Sequence, residues 1–280
     1  MTNFQKVIKY LALAFAFYII VNVLYGILMG IAGINNIFKT NKVNTNKTED
    51  KYEVFENNNI NQNQAENINT LKIDLKYSNL QIKTGDSIKV EKESKYITVS
   101  QDENTLKIEE KGDNWFLKEK NDNVTVYIPE TLKFDCVDIE TGAGDVNIQK
   151  LDAQNLKLSI GAGKTEIGNL DVYSSARING GAGKLSIENG SVQNLQLDLG
   201  VGKTEIKSKL TGNNKIDTGI GSLDLDLLDK QENYKFKIDK GIGSVKLNGS
   251  NVDDNSQIGS GSNYIKIDGG IGEILIDTIE

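Results

Sequence analysis

Histidine is missing from all 280 residues, and cysteine, proline and tryptophan occur once each, as Cys136, Pro129 and Trp115. Without histidine no serine or cysteine can be activated by an imidazole relay. A lone cysteine cannot close an intramolecular disulfide, and no thiolate or imidazole cluster can hold a metal. One proline against 27 glycines suits strands broken by many corners. A basic excess is also missing. The net charge of −7 leaves no basic stripe for nucleic acid. No cofactor site follows from the composition.

What the chain has is repetition. Gly-x-Gly with Ala, Val or Ile in the middle recurs seven times, at Gly142/Gly144, Gly161/Gly163, Gly181/Gly183, Gly200/Gly202, Gly219/Gly221, Gly241/Gly243 and Gly270/Gly272. Successive first glycines stand 19, 20, 19, 19, 22 and 29 residues apart. A period near 20 marks stacked supersecondary units. These glycines are read as the structural corners of the repeat, one pair to a rung.

Aligned on the first glycine, the units share a phase. Five and three residues before it stand Val137/Ile139, Leu156/Leu158, Ala176/Ile178, Leu195/Leu197, Asn214/Ile216, Phe236/Ile238 and Ile265/Ile267. Four and six after it stand Val146/Ile148, Thr165/Ile167, Leu185/Ile187, Thr204/Ile206, Leu223/Leu225, Val245/Leu247 and Ile274/Ile276. Alternation of this kind with β-branched residues is the strand period. Each unit therefore reads strand, glycine corner, strand, and a variable third side. The residue between the glycines is Ala, Val or Ile, and is expected to fill the corner from inside. The fold class is all-β: a single-stranded parallel β-solenoid of about seven Gly-x-Gly rungs. Outward places form a basic column (Lys157, Arg177, Lys215, Lys237, Lys266) beside an acidic one (Asp198, Asp217, Asp239, Asp268). The expectation is a mutually neutralised, solvated face rather than a cation-binding carboxylate ladder.

In chain order, residues 1–9 are a short tail carrying Lys6 and Lys9. From Tyr10 to Phe38 no side chain is charged. A run of this length spans the ~30 Å hydrocarbon core as one transmembrane helix, and 10–38 is read as a signal-anchor. The rival is a cleaved signal peptide ending near Gly30-Ile31-Ala32, although signal h-regions are shorter, at ~7–15 residues. The lysine count on either side favours a cytoplasmic C-terminus, but large domains translocate despite such charges, and the solenoid is expected outside. Residues 39–67, rich in Asn, Lys, Thr, Glu and Gln, read as a disordered tether. Residues 68–135 read as an N-terminal β cap with a degenerate rung, Lys76-Tyr77-Ser78 taking the place of Gly-x-Gly. The repeats proper occupy 136–280. Their last unit, with Ile265, Ile267, Ile274 and Ile276, is expected to present an open edge, either for docking or under Thr278-Ile279-Glu280.

Several motifs tempt. Gly163-Lys164-Thr165 and Gly202-Lys203-Thr204 echo the end of a phosphate loop, but the earlier glycine is replaced by Leu158 or Leu197 and a strand follows where a helix is needed. Nucleotide binding is not expected. Asp198 with Glu205, or Asp217 with Asp224, could in principle serve glycoside chemistry, yet these pairs follow the repeat instead of interrupting it. Trp115, Tyr173 and Tyr234 are weak ligand candidates; Trp115 is better read as packing the cap onto the first rung.

The run Val124-Thr125-Val126-Tyr127-Ile128-Pro129, followed by Val137-Asp138-Ile139-Glu140-Thr141-Gly142-Ala143-Gly144-Asp145-Val146, resembles a bacterial β-strand-repeat family of unknown function. Its members carry the label of adhesin, and related toast-rack repeats occur in membrane proteins of Gram-positive envelope-stress systems of the Lia type. The resemblance covers about 68–280. It implies a parallel β-solenoid and an envelope location, and it supplies no catalytic motif. The expected protein is a single-pass cell-membrane protein, extracytoplasmic beyond its anchor and not an enzyme. It would contact another envelope protein or a cell-wall polymer, with envelope-stress sensing or adhesion to external glycans or host surfaces as its roles.

Overall fold

The computed structural model describes residues 53–56, 68–111 and 122–280. The expected anchor, most of the tether and Trp115 lie outside the described residues. Among those described, no helix is long and apolar enough to cross a membrane. One stretch of the expected tether is ordered: Glu53–Glu56 is a strand antiparallel to Lys89–Lys92, with Val54 opposite Glu91.

The repeat folds as the alternation demands. Corner residue lies on corner residue in parallel register: Ala143 on Ala162, Ala162 on Ala182, Ala182 on Val201 and Val201 on Ile220. The first side stacks Val137 on Leu156 and Ile139 on Leu158. The second stacks Leu185 on Thr204 and Ile187 on Ile206, and the third stacks Val192 on Val172 and Leu210. Inward residues of all three sides, among them Leu158, Ile167, Leu170, Ile178, Leu210 and Leu225, are buried in one continuous core. Each such side chain stabilises the stack by roughly 1.5–3 kcal/mol through burial. Parallel ladders supply the backbone hydrogen bonds and leave edges only at the two ends.

At those ends spatial order departs from chain order. Asn263–Asp268 pairs with both Asn213–Asp217 and Tyr234–Asp239. Ile271–Ile279 likewise pairs with both Ile220–Lys230 and Ile242–Leu247. The last unit of the chain is thus inserted between the fifth and sixth, with Ile271 lying between Ile220 and Ile242. The expected open edge at Ile265 and Ile274 is therefore corrected: both residues are buried with a rung on either side. The terminal unit is the one cornered at Gly241 and Gly243, and short antiparallel strands cover its two sides. Ser256–Ile258 pairs with Tyr234–Asp239, and Ser250–Asn251 pairs with Ile242–Leu247.

The other end uses the same device in reverse. Thr70–Leu75 and Asn79–Gly85 lie between the repeat proper and an outer rung made of Thr105–Glu110 and Asn123–Pro129. Leu71 pairs with both Leu106 and Val137. Antiparallel strands Lys89–Lys92 and Ile97–Asp102 flank that outer rung.

The corner itself corrects a second expectation. The residue between the glycines faces out: Val201, Ile220, Ile271 and Ile242 are 55%, 40%, 45% and 56% exposed, and Ala143, Ala162 and Ala182 are exposed too. The inward place belongs to the residue before the first glycine, where Thr141 is buried and Ile160 and Leu199 pack against the core. The period-two alternation slips by one at the corner, as in a β-bulge. Both glycines are required there. A Cβ on Gly161 would sit 2.0 Å from the Gly142 carbonyl oxygen, and Gly163 holds φ at +138°, where L side chains are strained.

Candidate interaction surface

Several charges of the outward columns are paired. On the first side, Lys215 and Asp217 lie 2.5 Å apart, as do Lys266 and Asp268, while Lys157 reaches Asp138 on the adjacent rung at 3.2 Å. The bond to Asp217 holds the Lys215 ammonium above its ordinary range. On the second side Lys164 meets Glu166 at 2.6 Å, and Glu205 receives Lys184 at 2.6 Å together with Lys203. Those lysines, Lys184 foremost, pull the Glu205 carboxyl below its usual range. All these groups are partly exposed, so each pair adds little stability and weakens with salt. Their effect is to neutralise one another where they pair.

Of the candidate carboxylates, Glu205 and Asp217 fall into this pattern, and Asp224 does not. Glu205 is committed to two lysines and Asp217 to Lys215. Asp224, Asp226 and Asp277 stand close enough for their carboxylates to converge on one ion. Burial, with Asp226, Glu205 and Asp277 adding like charge, raises the Asp224 carboxyl. Thr165 of the Gly-Lys-Thr motif is buried, Lys164 is paired with Glu166, and the chain continues as strand. The turn and helix that would cradle a phosphate do not form.

Glycines of the middle rungs, such as Gly183, Gly202, Gly221 and Gly272, line one narrow cleft along the corner. Gly142, Gly144, Gly241 and Gly243, at the ends of the row, do not line it, nor does Gly161, although its partner Gly163 does. Gly243 is the extreme case. Its register partner is Gly272 on one side, and the covering strand Ser250–Asn251 pairs only farther along, at Lys246 and Leu247. It is exposed, and it turns the last corner without joining the other glycines at a shared surface.

Of the aromatic candidates, Tyr173 is 41% exposed on the third side, with the Lys133 ammonium 4.7 Å from its ring centre. Tyr234 is fully buried beside Phe236, its ring 5.7 Å away, and burial followed by nearby Asp229 pushes its hydroxyl up to about 12. It offers a ligand no surface, which corrects the expectation. Trp115 lies outside the described residues.

Three features escape the sequence columns. One is the apolar ridge of corner residues, hidden by extending the alternation through the bulge. The second is a ladder at the corner between the third and first sides. There Asn69 donates to Asp135 at 2.7 Å, Asn155 to the Asp135 carbonyl, Ser175 to Asn155, and Asn194 to the Ser174 carbonyl, while Asn194 accepts from the Asn213 amide. Asn, Ser or Asp recurs six or seven residues before the first glycine, a column that could have been read. The third is Glu110. One of its carboxylate oxygens accepts from the amides of Lys76, Tyr77 and Ser78 at 2.8, 2.9 and 3.1 Å. It substitutes for a neighbouring glycine corner where the repeat is degenerate.

Solved structures similar to the chain include two of bacterial origin. One is a putative cell adhesion protein from Clostridium sporogenes, 19% identical over 82% of this chain and 99% of that one, with a TM-score of 0.36. The other is a putative adhesin from Bacteroides fragilis, 12% identical over 82% and 96%, with a TM-score of 0.30. No curated protein matches the chain at a significant level. The family model described as Toastrack DUF4097 matches residues 45–268, four-fifths of the sequence. The chain belongs to the Toastrack DUF4097 family of β-repeat proteins.

Proposed function

We propose that the protein is a membrane-anchored, extracytoplasmic interaction module of the bacterial envelope, working by contact and not by catalysis. The observation that supports this most is the distribution of polar groups. They are spread in paired columns over a stack closed at both ends, so broad contact with a macromolecule suits it better than a pocket of tuned acids and bases. The anchor comes from the uncharged run 10–38, and the partner is another envelope protein or a cell-wall polymer. A role in envelope-stress sensing gives the module its task.

The test is complementation of a deletion strain under cell-wall antibiotic stress. Asp217→Asn and Asp224→Asn, alone or together, should complement, whereas a chain lacking residues 1–38 should not. Loss of function from the carboxylate changes, with folding and localisation intact, would favour a catalytic or metal role instead. External protease on intact cells should digest the solenoid. If digestion requires lysis, the orientation is wrong.

A further inference from the structure

The corner ridge grows along the stack. In spatial order it reads Ala143, Ala162, Ala182, Val201, Ile220, Ile271 and Ile242. The four large members stand side by side, about 4.8 Å apart, and roughly half of each is in water. Glycines flank every one, so no neighbouring side chain shoulders them. Beyond the glycines that flank these four, Lys215 pairs with Asp217 and Lys266 with Asp268 on one side, and Lys203 with Glu205 and Lys246 with Glu273 on the other.

We infer that the Val201–Ile220–Ile271–Ile242 ridge lies in the interfacial layer of a lipid bilayer, with the solenoid resting along the membrane. Four half-exposed aliphatic side chains present a few hundred Å² at most, against roughly 800 Å² per partner in a stable protein interface. Ridge against ridge would therefore be too small a contact to hold two copies together. An exposed apolar row with ion pairs on both flanks instead fits shallow insertion, because the paired charges nearest to it cost less to bring toward the apolar layer. The inference rests on the anchored reading above. The uncharged run read as the anchor ends at Phe38, a short way ahead of the first described strand, Glu53–Glu56. That keeps the domain at high effective concentration beside the bilayer, where a weak contact suffices.

The full chain is reconstituted in phosphatidylcholine vesicles with Cys136→Ser and one new cysteine bearing a polarity-sensitive fluorophore. Ser244→Cys places the label beside the ridge, and Tyr173→Cys places it on the third side. Spin-labelled lipid should quench the first and spare the second, at low and at high salt. Changing Val201, Ile220, Ile271 and Ile242 together to serine should abolish the quenching while the chain still floats with the vesicles. Flotation without quenching at Ser244 overturns the inference and leaves the anchor standing. Failure to float overturns both. Quenching that disappears in high salt, or that is replaced by cross-linking between copies through the Ser244→Cys thiol, also overturns it.

Discussion

Ala162 and Gly163 are neighbours in the chain and opposites in what a side chain costs there. Ala162 points to water, so Ala162→Asp should change stability by no more than about 0.5 kcal/mol. Gly163→Ala must place a Cβ 2.4 Å from the Gly144 carbonyl oxygen at φ +138°, and should cost about 1–3 kcal/mol or more. Urea unfolding of both variants checks this. Equal losses would mean the corner is turned the other way. Glu110 is the second informative residue. Glu110→Ala strands three backbone amides that one carboxylate oxygen now serves, and should lower stability by about 3 kcal/mol. Glu110→Gln, which keeps an acceptor oxygen, should lose clearly less. Asp152 sets a pH dependence. It is nearly buried, one carboxylate oxygen lacks a hydrogen-bond partner, and Lys150 is 3.6 Å from the other. Burial first, then the Asp171 charge, raises its carboxyl above the usual range despite Lys150 and Lys133. The folded chain therefore binds this proton at a pH where the unfolded chain has released it. This group's contribution to stability consequently falls as pH rises from the ordinary carboxylate range through the raised value. Asp152→Asn should be the more stable protein at neutral pH, and the difference should fade as the pH is lowered through that window. A constant difference would remove the titration from the explanation.

Among the elements, the sides of the solenoid were legible and its corners were not. The columns Val137, Leu156, Ala176 and Leu195, and Ile139, Leu158, Ile178 and Leu197, carry the period of two without interruption, and all are buried. At the corner the slip of one residue is set by backbone geometry around a positive-φ glycine, which leaves no hydrophobic signature of its own. The column that marks it, Thr141, Ile160, Gly180, Leu199 and Thr218, mixes sizes and polarities. The apolar middle residue accordingly suggested burial when it forms the candidate surface. Equal spelling also hid unequal surroundings: Gly243 reads like Gly202, yet Gly202 has a rung on both sides and Gly243 on one. The caps show a similar limit. Residues 249–262 carry no strong alternation, yet they supply the short strands that cover the terminal unit. Deleting Ser250–Ile258 while joining its flanks with a short glycine–serine loop should expose the edges of Tyr234–Asp239 and Ile242–Leu247. Concentration-dependent association should follow, because an uncovered parallel edge is a template for pairing. A variant that stays monomeric by sedimentation would show that the cap is not what protects the edge.

For the whole molecule, the order of rungs at the two ends was invisible in the columns for a physical reason. Ile265 and Ile267 fit against Asn214 and Ile216 as well as against Phe236 and Ile238, and they pair with both. Only the widened spacings of 22 and 29 residues hinted at a departure from simple succession. The interleaving matters because it closes both ends with covering strands and because it seats Ile271 between Ile220 and Ile242, completing the ridge. The most direct test is paired cysteine cross-linking in the Cys136→Ser background. Lys215 and Lys266 are register partners on adjacent strands, close enough for a disulfide, whereas Lys215 and Lys237 are separated by the inserted strand. Lys215→Cys with Lys266→Cys should oxidise readily to an intramolecular disulfide, and Lys215→Cys with Lys237→Cys should not. The reverse outcome, a bond between positions 215 and 237 and none between 215 and 266, would mean that the units stack in chain order and would contradict both the closed end and the ridge.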